Sequence, residues 1–307
     1  MPQTLLWEAD FEIERGRFSQ AGALIKEAQS IGTLDSNLIR LPERRQARLL
    51  FSTGRFAEAH KIALEGCRWD GKTVAKLKIR AAMNLVTLGE VALARGDFAT
   101  AISILEKASA KSRNVSSLDG LDWIRSRNDI AIAEDGLGSI KAALQEATKA
   151  SAAAELEWGA ASIPAMDALD TLGLIQISQG DFSGAEASLT RSRSQREALY
   201  RTNHPKIADS YLHAALLSAA QGRKDDAHRL VQRGLELENA LVTGPDGRWA
   251  LSLLAGAEIY TKIGQFDQAK SCYASAIPVL ERELGPDAPR VEIARRRYTA
   301  LRDKTAP

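Results

Sequence analysis

One short pattern recurs seven times along the 307 residues, as GRFSQA at 16, GRFAEA at 54, GDFATA at 96, GSIKAA at 138, GDFSGA at 180, GRKDDA at 222 and GQFDQA at 264. The first step is 38 residues and the next five are each 42. Equal spacing constrains the fold more tightly than composition does, because each unit must then be the same supersecondary structure, stacked on its neighbours.

The residues around each glycine agree in size. Seven positions before it stand Ala9, Ala47, Gly89, Ala131, Gly173, Ala215 and Ala257. Five positions after it stand Ala21, Ala59, Ala101, Ala143, Ala185, Ala227 and Ala269, and twelve after it Ala28, Gly66, Ala108, Ala150, Ser192, Gly234 and Ala276. A column nine positions after it is mostly larger and apolar: Ile25, Ala63, Leu105, Ala147, Leu189, Val231 and Tyr273. The spacing predicts a helix–turn–helix in each unit. The glycine ends the first helix in a left-handed conformation and the second helix starts at once. Small residues let paired helices approach closely, and the larger column fills the layer between units. Short connections leave helices of about 17 residues, about 25 Å long.

These columns and the Gly-x-aromatic turn resemble the tetratricopeptide repeat family, over about residues 3 to 283. The 42-residue length and the segments LGPDAPRV (284–291), YRTNHPKIA (200–208) and LVTGPDGRWA (241–250) resemble its kinesin-light-chain-type variant. The resemblance implies an all-α, right-handed α-solenoid of about seven helical hairpins. It also implies a scaffold that holds partner proteins or peptides, normally without catalysis. The expected units are roughly 2–39, 40–81, 82–123, 124–165, 166–207, 208–249 and 250–289, in one domain closed by a capping helix over 290–304. Lys224 and Ile140 depart from the turn aromatic, and Pro278 should bend a second helix. Arg295, Arg296 and Arg297 read as the wet face of the end cap, with an acidic partner as the alternative.

Composition fits this reading. Aromatics are 6 % and prolines nine, which favours helices over sheets. With 41 basic and 39 acidic residues the formal charge is +2, which argues against a nucleic-acid binder. The N-terminal stretch has neither a basic leader nor an apolar core, and no apolar run reaches membrane-spanning length. Two cysteines, Cys67 and Cys272, suit a reducing compartment and read as structural thiols tens of ångströms apart. A cytoplasmic protein is expected. Units that begin within a few residues of Met1 leave no room there for a DNA-binding or kinase domain.

One stretch argues otherwise. GCRWDGKT, residues 66–73, satisfies the phosphate-loop pattern G-x-x-x-x-G-K-[ST]. A phosphate loop needs a buried strand before it, yet FAEAHKIALE upstream reads as helix. Gly66 already belongs to the small column, and Asp70 reads as the cap of the next helix. The match is read as coincidental, with a nucleotide-binding enzyme as the weakest alternative. His60, His204, His213 and His228 lack metal-site spacing, and His204, before Pro205, reads as a loop support. GLGS at 136–139 is a turn, and Trp7, Trp69, Trp123, Trp158 and Trp249 read as packing residues near unit boundaries. No catalytic residue, cofactor or metal is expected.

The family resemblance implies that first helices line a concave face, at fixed offsets before each turn glycine. Carried over residue by residue, this gives a partner-binding groove of Arg44, Arg48, Arg125, Asn128, Asp167, Asp170, Leu174, Asp209, Leu212, Leu216, Leu254 and Glu258. Its acidic half and leucine strip suit a protein or peptide segment with basic and apolar residues, with no nucleic acid, membrane or small-molecule cofactor. Asp167 and Asp209, near helix starts, are equally well read as helix caps. A non-enzymatic adaptor is favoured. The alternative is a regulatory sensor whose superhelix responds to a peptide or an effector domain.

Overall fold

The computed structural model describes residues 2–31, 41–70, 78–112, 119–200, 204–241 and 244–304. Among these, fifteen α-helices follow one another with no strand. The hairpins are α1 (Pro2–Glu14) with α2 (Phe18–Ile31), α3 (Leu41–Ser52) with α4 (Phe56–Asp70), and α5 (Lys78–Arg95) with α6 (Phe98–Ser112). Next come α7 (Asp119–Gly136) with α8 (Ile140–Trp158), α9 (Ile163–Gln179) with α10 (Phe182–Tyr200), and α11 (Pro205–Ala220) with α12 (Lys224–Leu241). The last hairpin is α13 (Gly247–Ile263) with α14 (Phe266–Leu284), which runs on through Pro278, and α15 (Pro289–Lys304) closes the array. No helix is long and apolar enough to cross a membrane among the described residues.

All seven turn glycines have positive φ, between 70° and 86°. At the first, Gly16 N–H donates to Ile13 O (3.0 Å) and Arg17 N–H to Glu12 O (2.8 Å). That pair of bonds is a Schellman closure. Arg17 O then accepts from Ala21 N–H (3.0 Å), so one residue finishes the first helix and opens the second. Later first helices are started by their own caps. Ser162 Oγ accepts from Ala165 N–H (3.3 Å), His204 Nδ1 from Lys206 N–H (3.1 Å) and Asp246 Oδ1 from Trp249 N–H (2.8 Å). These caps, helped by Pro164 and Pro205 in the first turn, start the helices a few residues ahead of the unit starts read from the period. Asp70 is the last residue of α4, and its side chain, read from the sequence as a cap, lies outside the described residues, as do residues 71–77 before α5.

The small columns sit at the helix crossings. Every alanine five positions after a turn glycine is wholly buried. Sizes are matched across the hairpin. A Cβ on Gly89 would stand 2.5 Å from Leu105, and one on Gly173 would stand 2.6 Å from Leu189. Where the larger column shrinks to Ala63 or Ala147, the facing position is alanine instead.

The array is wound so tightly that successive wraps touch. Each of the first three turns rests on the start of a helix five units later. Gly16 lies against His204 and Pro205, and His204 Nε2–H donates to Glu14 O at 3.1 Å. Gly54 O accepts from Gly247 N–H at 3.0 Å, and a Cβ on Gly54 would stand 2.4 Å from Arg248 N. Gly96 faces Arg290, whose guanidinium donates to Ala94 O (2.6 Å) and Leu93 O (3.0 Å), while Arg95 donates to Leu284 O. Apolar contact seals the seam: Phe56 and Ala94 are buried in one cluster with Leu254, Leu280 and Leu284. The concave groove that the family resemblance implies is thereby narrowed into a half-open chamber.

Candidate functional site

The first helices α1, α3, α5, α7, α9 and α11 line a half-open cavity of about 1060 Å³. A second chamber of about 420 Å³ continues it past Glu14, Arg48, Asp167 and Asp209 to Phe51, Leu212 and Leu251. A site of this size suits a small molecule or short peptide rather than a folded domain. Its walls mix apolar side chains, among them Met83, Ile132 and Leu174, with an unusual density of charge.

Eight carboxylates line the main chamber, against four arginines and one lysine. On one side Asp10 pairs with Arg45 (2.9 Å) and Arg48 (3.6 Å), and Glu14 with Arg48 and Arg125 (2.7 Å to the latter). Burial, with the neighbouring Arg125, pulls the Arg48 guanidinium down to about 10. On the other side Arg196 reaches in from α10, wholly buried, to Asp167 (2.7 Å) and Asp170 (2.8 Å). Its Nε–H donates to Ser192 Oγ (3.2 Å), and that hydroxyl donates to Met166 O (3.0 Å). Lys206 adds a second cation on Asp167 at 3.2 Å. Burial alone would raise Asp167, but Lys206 and Arg196 outweigh it and hold the carboxyl well below the usual range. Asp209 has Arg248 at 4.0 Å.

The remaining three carboxylates, Glu90, Asp122 and Asp129, have no ion pair among the described residues. Burial raises the pKa of each. Asp129 is raised furthest, because the charge of Glu90 adds to its desolvation.

No family model matches this chain, and no curated protein matches it. Solved structures do. NprR in complex with its cognate peptide NprX superposes with a TM-score of 0.63 at 13 % identity, over 99 % of this chain and 89 % of that one. The Rap conjugation gene regulator of the plasmid pLS20, in complex with the Phr* peptide, gives 0.55 at 13 % identity over 100 % and 98 %. BtubC (BKLC) from P. vanneervenii gives 0.51 at 17 % identity over 82 % and 93 %. The fold is a tetratricopeptide-like α-solenoid.

Within this tetratricopeptide-like array, Arg44, Arg48, Arg125, Asn128, Asp167, Asp170, Leu174 and Asp209 line the main chamber, and Leu212 lines the second. Three residues carried over from the family stand elsewhere. Leu254 is buried in the core of the last units, and Leu216 is packed against that core and the α9–α11 layer. Glu258 is taken by Arg297 of the closing helix. Nor are Asp167 and Asp209 helix caps, since Ser162 and His204 fill those places.

Other residues are brought in: Glu90, which stands at one of the same offsets, six before Gly96, and Asp122, Asp129 and Lys206, which the offsets omit, while Arg196 reaches Asp167 and Asp170 from α10. Trp7 and Trp158 also line the chamber instead of serving only as packing at unit boundaries. In the phosphate-loop match, Gly66 to Asp70 are the end of α4, and a Cβ on Gly66 would stand 2.4 Å from the Asn84 amide. Gly71, Lys72 and Thr73 lie outside the described residues, as does the side chain of Trp69. Cys67 and Cys272 lie in separate clusters and form no disulfide with each other.

Proposed function

We propose that this chain is a receptor for a short peptide, which it binds inside the wound solenoid as a non-catalytic adaptor or sensor in the cytoplasm. The observation that carries this reading is the half-open chamber to which six successive first helices each contribute side chains. NprR and the pLS20 regulator, alike in fold over nearly the whole chain, were solved with peptides bound. A role without catalysis is supported by the helical course of Gly66 to Asp70. The sensor form gains weight from Glu14. Its carboxylate stands in the chamber while its carbonyl holds His204 across the seam, so an occupant acts on the contact between wraps.

The test is to pass a mixture of synthetic hexapeptides over the purified full chain, recover what is retained and map protection by hydrogen exchange. Peptides are expected to be retained and to protect α5, α7 and α9, and Leu174→Trp, which fills the chamber, should abolish retention. Protection confined to the outer second helices, or retention unchanged by Leu174→Trp, would overturn the reading.

A further inference from the structure

Three features of the chamber bear on what it admits, and the inference from them rests on the peptide-receptor reading. The first is the imbalance of pairing: five of its carboxylates are matched by cations, while Glu90 on α5 and Asp122 and Asp129 on α7 are not. The cations nearest Asp129 are engaged elsewhere. Arg125, on its own helix, is held by Glu14 at 2.7 Å, and Lys206 on α11 is held by Asp167 at 3.2 Å. The other charged or titratable groups lining the chamber are Glu90 from α5, Asp122 from α7, Asp167 and Asp170 from α9, Asp209 and His213 from α11, Arg44, Arg45 and Arg48 from α3, and Asp10 and Glu14 from α1, with Arg45 and Arg48 held by Asp10. None of the described residues places a cation on Asp129.

The second feature is independent of charge. Asn128 is only 6 % exposed, lines the chamber, and has a side-chain carbonyl with no hydrogen-bond donor. Asp129 Oδ2 is buried and unbonded in the same way. A buried acceptor without a donor is destabilising, so both oxygens call for an N–H from an occupant. The third feature is that no three His, Cys, Asp or Glu side chains converge closely enough to hold a metal ion among the described residues. The missing cation is therefore organic. Trp7 and Phe11, both about half exposed, flank the same chamber and offer aromatic surface to the rest of the ligand.

We propose that the chamber selects peptides bearing an ammonium or guanidinium group, which seats between Glu90 and Asp129 while Asn128 accepts an N–H from the ligand. The source is a lysine or arginine side chain or a free amino terminus. Binding releases a proton. Burial favours the protonated form of Asp129, and the nearby charge of Glu90 adds to this, so the incoming cation displaces a proton.

The experiment pools synthetic hexapeptides with free and with acetylated amino termini, retains them on the full chain, and sequences what is bound. Cationic members should be enriched several-fold over the input, and the enrichment should vanish with the isosteric pair Glu90→Gln and Asp129→Asn. For the most enriched peptide, replacing lysine by norleucine (or arginine by citrulline) and acetylating the terminus identify which group is read. The responsible change should weaken binding at least about ten-fold. Calorimetry of the parent peptide in buffers of different ionisation heat should show proton release, which Asp129→Asn removes.

If peptides are retained but show no cationic enrichment, or if neutralising every cation leaves affinity unchanged, this proposal falls while the receptor reading stands. If no peptide is retained, both fall. Should the amide variants fail to fold, the neutralised peptides on the parent protein decide alone.

Discussion

His204 shows how much one side chain can hold in this fold. Its Nδ1 caps α11, its Nε2–H reaches the carbonyl of Glu14, and its ring stacks on Tyr200 at 3.6 Å with planes 6° apart. These bonds require the neutral tautomer protonated on Nε2. Burial first, then Lys206 and Arg196, hold its pKa down to about 3 against an ordinary 6.5. Between those values the unfolded chain binds more protons than the folded one, so the stability due to His204 is lost as pH falls through that window. Thermal melting should therefore decline below about pH 6.5, and His204→Gln should flatten the decline. His204→Ala at pH 7.5 should cost about 1–2 kcal/mol by denaturant unfolding, from loss of the cap.

The sequence shows His204 as a residue before proline in a connecting segment. It does not show Glu14, which is 190 residues away. Arg196 is half legible in the same sense. Ser192 is the one hydroxyl in a column otherwise of alanine and glycine, and it orients that guanidinium. The reach of Arg196 from a second helix to the chamber's Asp167 and Asp170 is outside any rule that assigns the concave face to first helices alone.

Elements are where the sequence is most readable, because their chemistry is local. Turn glycines, alanine crossings and the pairing of Gly89 with Leu105 and Gly173 with Leu189 all lie within one hairpin. Helix starts are less readable, since they depend on caps such as Ser162 and Asp246 that lie outside the repeating columns. A matched pair of substitutions separates turn chemistry from contact between wraps. Gly54 and Gly138 have nearly the same φ, 73° and 78°, so alanine at either carries the left-handed penalty of about 1–2 kcal/mol. A Cβ at Gly138 meets nothing within 4 Å, whereas at Gly54 it would meet Arg248 N at 2.4 Å and Gly247 N at 2.8 Å. Gly54→Ala should be clearly the more destabilising in denaturant unfolding, and it alone should speed hydrogen exchange at the start of α13. Equal effects would mean that the second seam contact contributes nothing.

At the scale of the whole molecule the sequence is nearly silent. The columns report how one hairpin meets the next, while the winding sums small rotations over several hairpins, each set by details of packing that no column records. Tight winding is also why the offsets miss Asp129: with the groove narrowed, a wider arc of α7 faces inward, and Asn128 and Asp129 both line the wall. The third seam contact gives a direct measurement. Replacing Arg95 and Arg290 by alanine together removes the donors to Leu284 O, Ala94 O and Leu93 O. The radius of gyration by small-angle scattering should increase and the end of α5 should exchange faster, with helix content by circular dichroism unchanged. An array whose wraps do not touch would show neither change.

Contact at an interval of five makes the count of hairpins part of the architecture. In an open stack, losing one internal copy shortens the molecule and little else, since each copy knows only its neighbours. Here, excising the fourth or fifth copy would leave an unbroken stack of neighbours and yet offer each seam partner the wrong mate. Insertions and deletions of whole copies in that interval are therefore as disruptive as a substitution in the core, and the middle hairpins act as a ruler.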